Sequence, residues 1–279
     1  MILVFTHAAD LGADLVIRHL VRWRTAYRRI NTECVGTPSL QIASVKGGLA
    51  IVNAGGQIEA DSVRAVWARR IAHPSVVGMI DSEYREFTGR ELAYVIDAFI
   101  AAVRGVQINP FEADRTSGNR LVQATRAAEA DFLVPDTLVT QDHNSAQEFV
   151  SKYSKVITNA ISFGMLGGTA SRQAYTALVD SCFDMAGLAA CPALFQEFIP
   201  KRCEWRVTTV GAQVFAARTR TDAMVDTIDW RQSPDPAALF EPAVLPPDVQ
   251  RRLLCLCANS GLVFGAHDLI EPPSGDFYS

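Results

Sequence analysis

The chain opens on a short apolar run, Ile2–Phe5, and then on a stretch from Asp10 to Tyr27 in which Leu11, Leu15 and Leu20 recur near helical spacing. That pattern predicts a buried strand followed by a helix, and Arg29–Asn31 returns as a second strand, so the start is a βαβ unit. Leu40–Val45 and Leu49–Asn53 flank Lys46-Gly47-Gly48, the arrangement of a β-hairpin. Val63–Trp67 is a further strand, ended by Arg69-Arg70. Asp81–Arg104 is a long helical stretch with Leu92, Val95, Ile96, Phe99 and Val103 on one stripe and Gly105 placed as its cap. Val106–Ile108 then reads as a short strand and Asn109-Pro110 as a turn.

Beyond a boundary near Ser117 the alternation continues. Asn119–Ala130 predicts a helix, Thr137–Thr140 a strand, and Asn144 caps a helix reaching Lys152. Lys155–Ile161 is a strand, and Ala193–Phe198 and Trp205–Val210 are strands separated by Pro200-Lys201-Arg202. Val214–Ala217 closes a hairpin across Gly211. Ser233–Pro247 is a proline-rich loop, Pro247 to Ala258 a helix ended by Gly261, and Leu262–Ile270 the last strand. The fold class expected is α/β, of the α+β kind.

Composition narrows the function classes. Of 279 residues, 49% are apolar and 20% charged, with a net charge of −4, so a sizeable core forms and no broad basic field invites nucleic acid. Six cysteines, none in a CxxC pair, read as free thiols of a reducing compartment. Met1 to Asp10 lacks a basic segment ahead of its apolar run, and no run approaches the ~20 residues that span a bilayer. A cytoplasmic protein without membrane contact is expected.

The polar residues of the 193–217 stretch carry the chemistry. Glu204 and Arg206 are two apart on a strand and share a face. A carboxylate and a guanidinium beside an apolar hinge suit a nucleotide: hinge backbone to adenine, carboxylate to ribose, guanidinium to phosphate. The same residues also suit a surface hairpin with one salt bridge, and the pattern alone leaves both open. Gly164, Gly167, Gly168 and Thr169 follow a strand and can turn backbone N–H groups toward a phosphate, or serve as a plain connector. No GKS or GKT follows them, and no GxGxxG follows the first strand, so neither a P-loop nor a dinucleotide fingerprint is present.

Several short motifs, in order along nearly the whole chain, resemble the ATP-grasp ligases that mature ribosomal peptides, the microviridin-type group related to the RimK glutamate ligase. They are Arg29-Ile30-Asn31-Thr32-Glu33; Ala65 to Arg70 with Pro74; Ile108-Asn109-Pro110; Asn119-Arg120 with Gln123; Thr137 to Thr140; Gln196 to Lys201; Glu204-x-Arg206-Val207; Val210-Gly211; Val214 to Ala217; Asp229-Trp230-Arg231; and Gly265 to Ile270. The resemblance implies a pre-ATP-grasp α/β domain at 1–117, a central subdomain at 118–195 and a C-terminal subdomain at 196–279. It implies ATP and Mg²⁺, with Gln196, Glu197, Phe198 and Ile199 at adenine, Glu204 at ribose, Arg120 and Arg206 at phosphate, Arg231 on developing charge, and Asp268 on the metal. His267 is expected to point away from that metal. Arg218 and Arg220 are further candidates for acyl-phosphate or substrate carboxylate.

The implied reaction joins a carboxylate to an amine or hydroxyl through an acyl-phosphate, giving ω-ester or ω-amide bonds in a precursor peptide recognised by its leader. A homodimer is compatible with it. The alternatives are a RimK-like amino-acid or peptide ligase, and a degenerate ATP-grasp protein that binds a peptide without catalysis. Three departures from the group's pattern stand out: Arg120 where it has lysine, Asn159 where it has a strand lysine, and a chain that stops at Ser279 without the group's E-x-N.

Overall fold

Asp10 organises the first turn of the structure. Its side chain accepts from the backbone N–H groups of Gly12 and Ala13, which opens the first helix at Leu11. The computed structural model describes residues 1–34, 40–45, 48–53, 56–69, 71, 80–162, 165–166, 172–179, 183–219, 228–235 and 237–279. It divides into two compact units, Met1–Asp114 with Gly261–Val263, and Arg115–Ser260 with Phe264–Ser279.

In the first unit the chain runs β1 (Ile2–Thr6), α1 (Leu11–Arg22), β2 (Tyr27–Asn31), β3 (Leu40–Val45), β4 (Gly48–Asn53), β5 (Gly56–Glu59), β6 (Ala65–Ala68), α2 (Arg85–Ala102) and β7 (Val106–Ile108). A parallel sheet has the order β2-β1-β6-β7, and β3-β4-β5 is an antiparallel meander. Leu3, Phe5, Ile30, Val66, Ile96 and Phe99 fill the core, where apolar strands meet the stripe of α2.

Two helix ends differ from expectation. α1 stops at Arg22, well before Tyr27, because Arg24 takes a left-handed backbone (φ +52) and the chain turns into register with Ile2. α2 spans Arg85–Ala102 and not Asp81–Arg104, so Gly105 is not its cap. A Cβ at Gly105 would lie 2.3 Å from the Val63 carbonyl oxygen, so that close approach requires the glycine.

The arginines of this unit are structural. Arg69 Nε lies 3.0 Å from fully buried Asp10, which also accepts from the Thr6 hydroxyl at 2.6 Å. Arg29 pairs with Asp14 and donates to the His7 carbonyl, and Glu33 accepts from the Ala8 N–H at 2.7 Å. The Arg29-to-Glu33 motif and Arg69 therefore lock the turn between β1 and α1. Arg70 and Pro74 lie outside the described residues.

α3 (Phe111–Ser117) spans the division between the units. The second unit then holds α4 (Arg120–Glu129), β8 (Thr137–Thr140), α5 (His143–Lys152), β9 (Val156–Asn159), β10 (Met165–Leu166), β11 (Arg172–Gln173), β12 (Ala177–Val179), β13 (Ala193–Glu197), β14 (Cys203–Val210), β15 (Gln213–Thr219), β16 (Phe240–Ala243), α6 (Pro247–Asn259) and β17 (Phe264–Glu271). The cap of α5 is Asp142, whose carboxylate accepts from the Ser145 N–H at 2.7 Å; Asn144 is not the cap.

Two antiparallel sheets dominate this unit, ordered β12-β9-β13-β8 and β16-β15-β14-β17. The first lies over α5 through Val156, Phe195 and Ala146. The second packs Trp205, Val207 and Leu269 against Val249 and Leu253 of α6. Residues 198–202 cross from one sheet to the other, just after the 195/196 position expected for a subdomain boundary. The C-terminal residues return along β17, where Tyr278 exchanges two backbone hydrogen bonds with Ile270 and Phe277 enters the core. Among the described residues no helix is long and apolar enough to cross a membrane.

Candidate functional site

Antiparallel register decides what the second sheet presents. Glu204 pairs with Ile270, Arg206 with Asp268 and Ala217, and Thr208 with Ala266 and Phe215. Alternation then puts Glu204, Arg206, Asp268 and Phe215 on one face, and Trp205, Val207, Leu269 and His267 on the α6 side. Arg206 donates to Asp268 at 2.6 Å, with both side chains well exposed. His267 points away from Asp268, as expected, and is packed there: its Nε2 lies 3.2 Å from the Thr209 hydroxyl and 3.4 Å from Cys257, and burial drops its pKa to about 4.

Glu204 sits at the hinge end of this face, largely buried, with Lys201 Nζ 2.5 Å away. Burial pushes its carboxyl up, Lys201 opposes that, and Asp268 and Asp229 add to the rise. Lys201 also donates to the Ile228 carbonyl at 3.2 Å, so the hinge lysine ties Glu204 to the loop that carries Asp229.

The hinge itself is held by its neighbours. Glu197 N–H donates to Asp136 and Phe198 N–H to Lys155, while Ile199, 7% exposed, keeps its N–H and carbonyl without a partner among the described residues. Gln196 donates to the Thr137 hydroxyl at 2.9 Å. Gln196 and Glu197 are adjacent on β13 and so face opposite sides of their sheet. The Glu197 side chain stands on the Phe195 side, over α5, away from Gln196; its backbone alone belongs to the hinge. Lys155 sits 5.5 Å from the Phe198 ring.

Two further cations come from the N-terminus of α4 and from the loop before β16. Asn119 caps α4 and so sets Arg120 at its first position. Arg120 is half-buried, and its guanidinium makes no ion pair or hydrogen bond with a described residue. Burial, and next the charge of Arg231, pull its guanidinium below the usual value, while Asp268 and Asp229 pull the other way. Arg231 is fixed: its Nε and one terminal nitrogen each lie 2.7 Å from Asp229, a bidentate pair that raises its pKa. The Asp229 side chain is 2% exposed. Burial alone would raise its carboxyl, but the Arg231 guanidinium and the N–H groups of Thr176 and Arg231 hold it below the carboxylate range.

Asn159 has a defined place. It ends β9 opposite Leu194, on the Gln196 side of the sheet, and donates to the Thr176 hydroxyl at 3.0 Å. Thr176 N–H in turn donates to Asp229 at 3.1 Å. The first sheet and the loop before β16 are thus tied through Thr176, and the charge of Asp268 acts on both Arg120 and Arg231. Sequence reasoning assigned no role to Lys201 or Asp229, although both lie in quoted motifs, and it missed Thr176, a loop threonine that nothing in the pattern marks. Arg218 pairs across from Trp205 and bonds Glu241 at 3.0 Å, so it is on the wrong face to join the cluster. Arg220 and the glycine-rich segment at 164–169, apart from Met165 and Leu166, lie outside the described residues.

Could this site take Mg²⁺? Among the described residues no group of three or more His, Cys, Asp or Glu could hold a metal. Mg²⁺ needs no such cage when it arrives on a nucleotide, since it commonly takes one or two carboxylates and fills its shell with phosphate oxygens and water. Exposed Asp268, on the Arg206 face, fits that role. Glu271 does not: it lies on the opposite face, buried, bonded to Arg202 and 2.8 Å from Trp205 Nε1.

Residues 1–115 match the family model of the MvdD pre-ATP grasp domain. No curated protein sequence is similar to the chain at a significant level. Among solved structures, the macrocyclase MdnC from Microcystis aeruginosa MRC, bound with precursor peptide MdnA, shares 26% identity over 99% of this chain and 88% of its own, with a TM-score of 0.84. The macrocyclase MdnB from the same strain shares 25% over 99% and 89%, with a TM-score of 0.80. A RiPP-associated ATP-grasp ligase from Chryseobacterium gregarium, in complex with ADP and a leader and core peptide, shares 22% over 99% and 86%, with a TM-score of 0.80.

Proposed function

We propose that this chain, an ATP-grasp ligase of the microviridin type with an MvdD-like pre-ATP-grasp domain, uses ATP to join a carboxylate to a hydroxyl or amine within a ribosomally made precursor peptide. The observation that carries the reading is the half-buried Arg120 guanidinium, which has no described hydrogen-bond or ion-pair partner and feels the charges of Arg231, Asp268 and Asp229. A cation taken partly out of water and placed next to another cation is unfavourable until an anion arrives. A triphosphate supplies that charge, and the hinge between β13 and β14 supplies the place for its base.

In this reading Ile199 and the hinge backbone receive the adenine edge and Gln196 lines the same side. Glu204 takes the ribose hydroxyls once they displace Lys201. Arg120, Arg231 and Arg206 meet the phosphates. Mg²⁺, when bound at Asp268, neutralises phosphate charge. A peptide carboxylate oxygen attacks the γ-phosphorus, the bond to the bridging oxygen breaks, and ADP leaves with an acyl-phosphate formed. A hydroxyl or amine then attacks the acyl carbon, loses its proton, and expels inorganic phosphate. The protein's contribution is alignment and fixed positive charge, the two effects that dominate phosphoryl transfer.

Phe215, 59% exposed one residue pair beyond Arg206 on the same face, offers apolar surface where the acceptor chain would lie. The MdnC and Chryseobacterium structures hold their peptides on the same fold, which supports a leader-bearing precursor as substrate here. The cytoplasm is the compartment that supplies ATP, Mg²⁺ and reduced thiols together. The test is direct: incubate the protein with ATP, Mg²⁺ and synthetic precursors bearing acidic and hydroxyl or amine tail residues. ADP release with loss of one water's mass from the peptide is expected. ATP turnover without peptide change, or no ATP binding, would defeat the proposal.

A further inference from the structure

We infer that Asp229, backed by Thr176 and Asn159, is a positioning relay that holds Arg231 beside Arg120 and so completes a two-guanidinium clasp for the polyphosphate. The inference rests on the nucleotide reading above and adds how its phosphate end is built. The positive charge of Arg231 acts on Arg120 and disfavours its charged form, so an unrestrained Arg231 side chain would swing toward solvent. It is restrained at two points. Nε and a terminal nitrogen grip Asp229 at 2.7 Å each, and the Arg231 backbone N–H donates to the same carboxylate at 3.1 Å.

Asp229 is itself fixed from behind. Its second oxygen accepts from Thr176 N–H at 3.1 Å, and the Thr176 hydroxyl accepts from Asn159 at 3.0 Å. Asn159 cannot swivel, because its own side-chain oxygen accepts from the Ala160 N–H at 2.9 Å. The relay therefore runs from the end of a sheet strand, through a loop, to a buried carboxylate, and ends in a guanidinium whose side chain is 34% exposed. A neutral amide at position 159 suits this: a lysine there has no acceptor for Ala160 and would add a third cation against Arg231 and Arg120. Asp229 touches no substrate atom in this scheme; its effect is through Arg231.

The test separates base from phosphate. Calorimetry with adenosine reads the hinge, and calorimetry with ATP and Mg²⁺ reads hinge and clasp together. Asp229→Asn is expected to weaken ATP about tenfold or more while adenosine stays within about twofold. Asp229→Glu is expected to regain part of the loss. Asn159→Ala and Thr176→Val should each weaken ATP several-fold, and together no more than either alone, because both break one link. Steady-state rates should show the loss in KM for ATP more than in kcat. Should Asp229→Asn fail to fold, Asn159→Ala at its strand end decides. An unchanged ATP-to-adenosine affinity ratio in these variants overturns the relay while leaving the nucleotide site standing. A wild-type protein that binds neither ligand overturns both.

Discussion

His267 shows how one residue's surroundings set a property of the folded chain. The imidazole is turned into the interior with Thr209 and Cys257, and burial lowers its pKa from 6.5 to about 4. Between those values the unfolded chain binds the proton and the folded chain does not, so stability falls as pH drops through that window and is regained above it. From pH 7 to pH 5 the loss from this group is about 2 kcal/mol. Urea denaturation at both pH values checks it, with His267→Gln flattening the difference; equal slopes for the two proteins would refute the assignment. Arg120 makes the opposite case. Replacing it with methionine removes a charge that is half-buried and unpaired among the described residues, so stability should stay within about 1 kcal/mol. ATP affinity should fall roughly 10- to 100-fold, the worth of a charge-assisted hydrogen bond. A large fall in melting temperature with ATP binding intact would show that Arg120 serves the fold.

At the scale of elements, the face shared by β14, β15 and β17 is divided by register into zones. Glu204 marks the hinge end, Arg206 and Asp268 the middle, and Phe215 with Ala266 the far end. If the acceptor peptide lies over that far end, Phe215→Ala should lower kcat/KM for the peptide by roughly 5- to 30-fold, the cost of about 1–2 kcal/mol of apolar contact. ATP affinity should not move, and an equal loss for both ligands would place Phe215 under the nucleotide instead.

These strands were legible because period-2 alternation and the Gly211 turn are local signals. Gly211 carries φ +55, which favours glycine at the hairpin tip. Helix ends were less legible. Gly105 looks like a cap and is in fact required by the Val63 carbonyl, 42 residues away in sequence, a contact no local pattern contains. The faces of the site followed from alternation once Glu204 and Arg206 were on one strand. The ties among Asn159, Thr176 and Asp229 did not, because they join three segments far apart in sequence.

Across the whole molecule, every charge proposed to meet nucleotide lies in the second unit, while the buried ion pair of Asp10 and Arg69 and the motif at Arg29–Glu33 serve the first. The two units should therefore answer a nucleotide differently. A ligand that binds only the folded state stabilises it by RT ln(1 + [L]/Kd), about 2.7 kcal/mol at a hundredfold excess over Kd. Amide exchange reads where that stabilisation is felt, since each amide reports the opening that frees it. With Mg²⁺ and a non-hydrolysable ATP analogue at that excess, amides of β9, β13, β14 and β17 that exchange through opening of the second unit should slow by up to about 100-fold. Amides of β1, β2 and β6 should slow less, because their opening breaks Asp10, Arg69 and the apolar core of the first unit and releases no phosphate contact. Uniform slowing across both units would mean that they open together as one cooperative body. Slowing confined to the first unit would mean that the nucleotide sits somewhere other than between Glu204, Arg120 and Asp268.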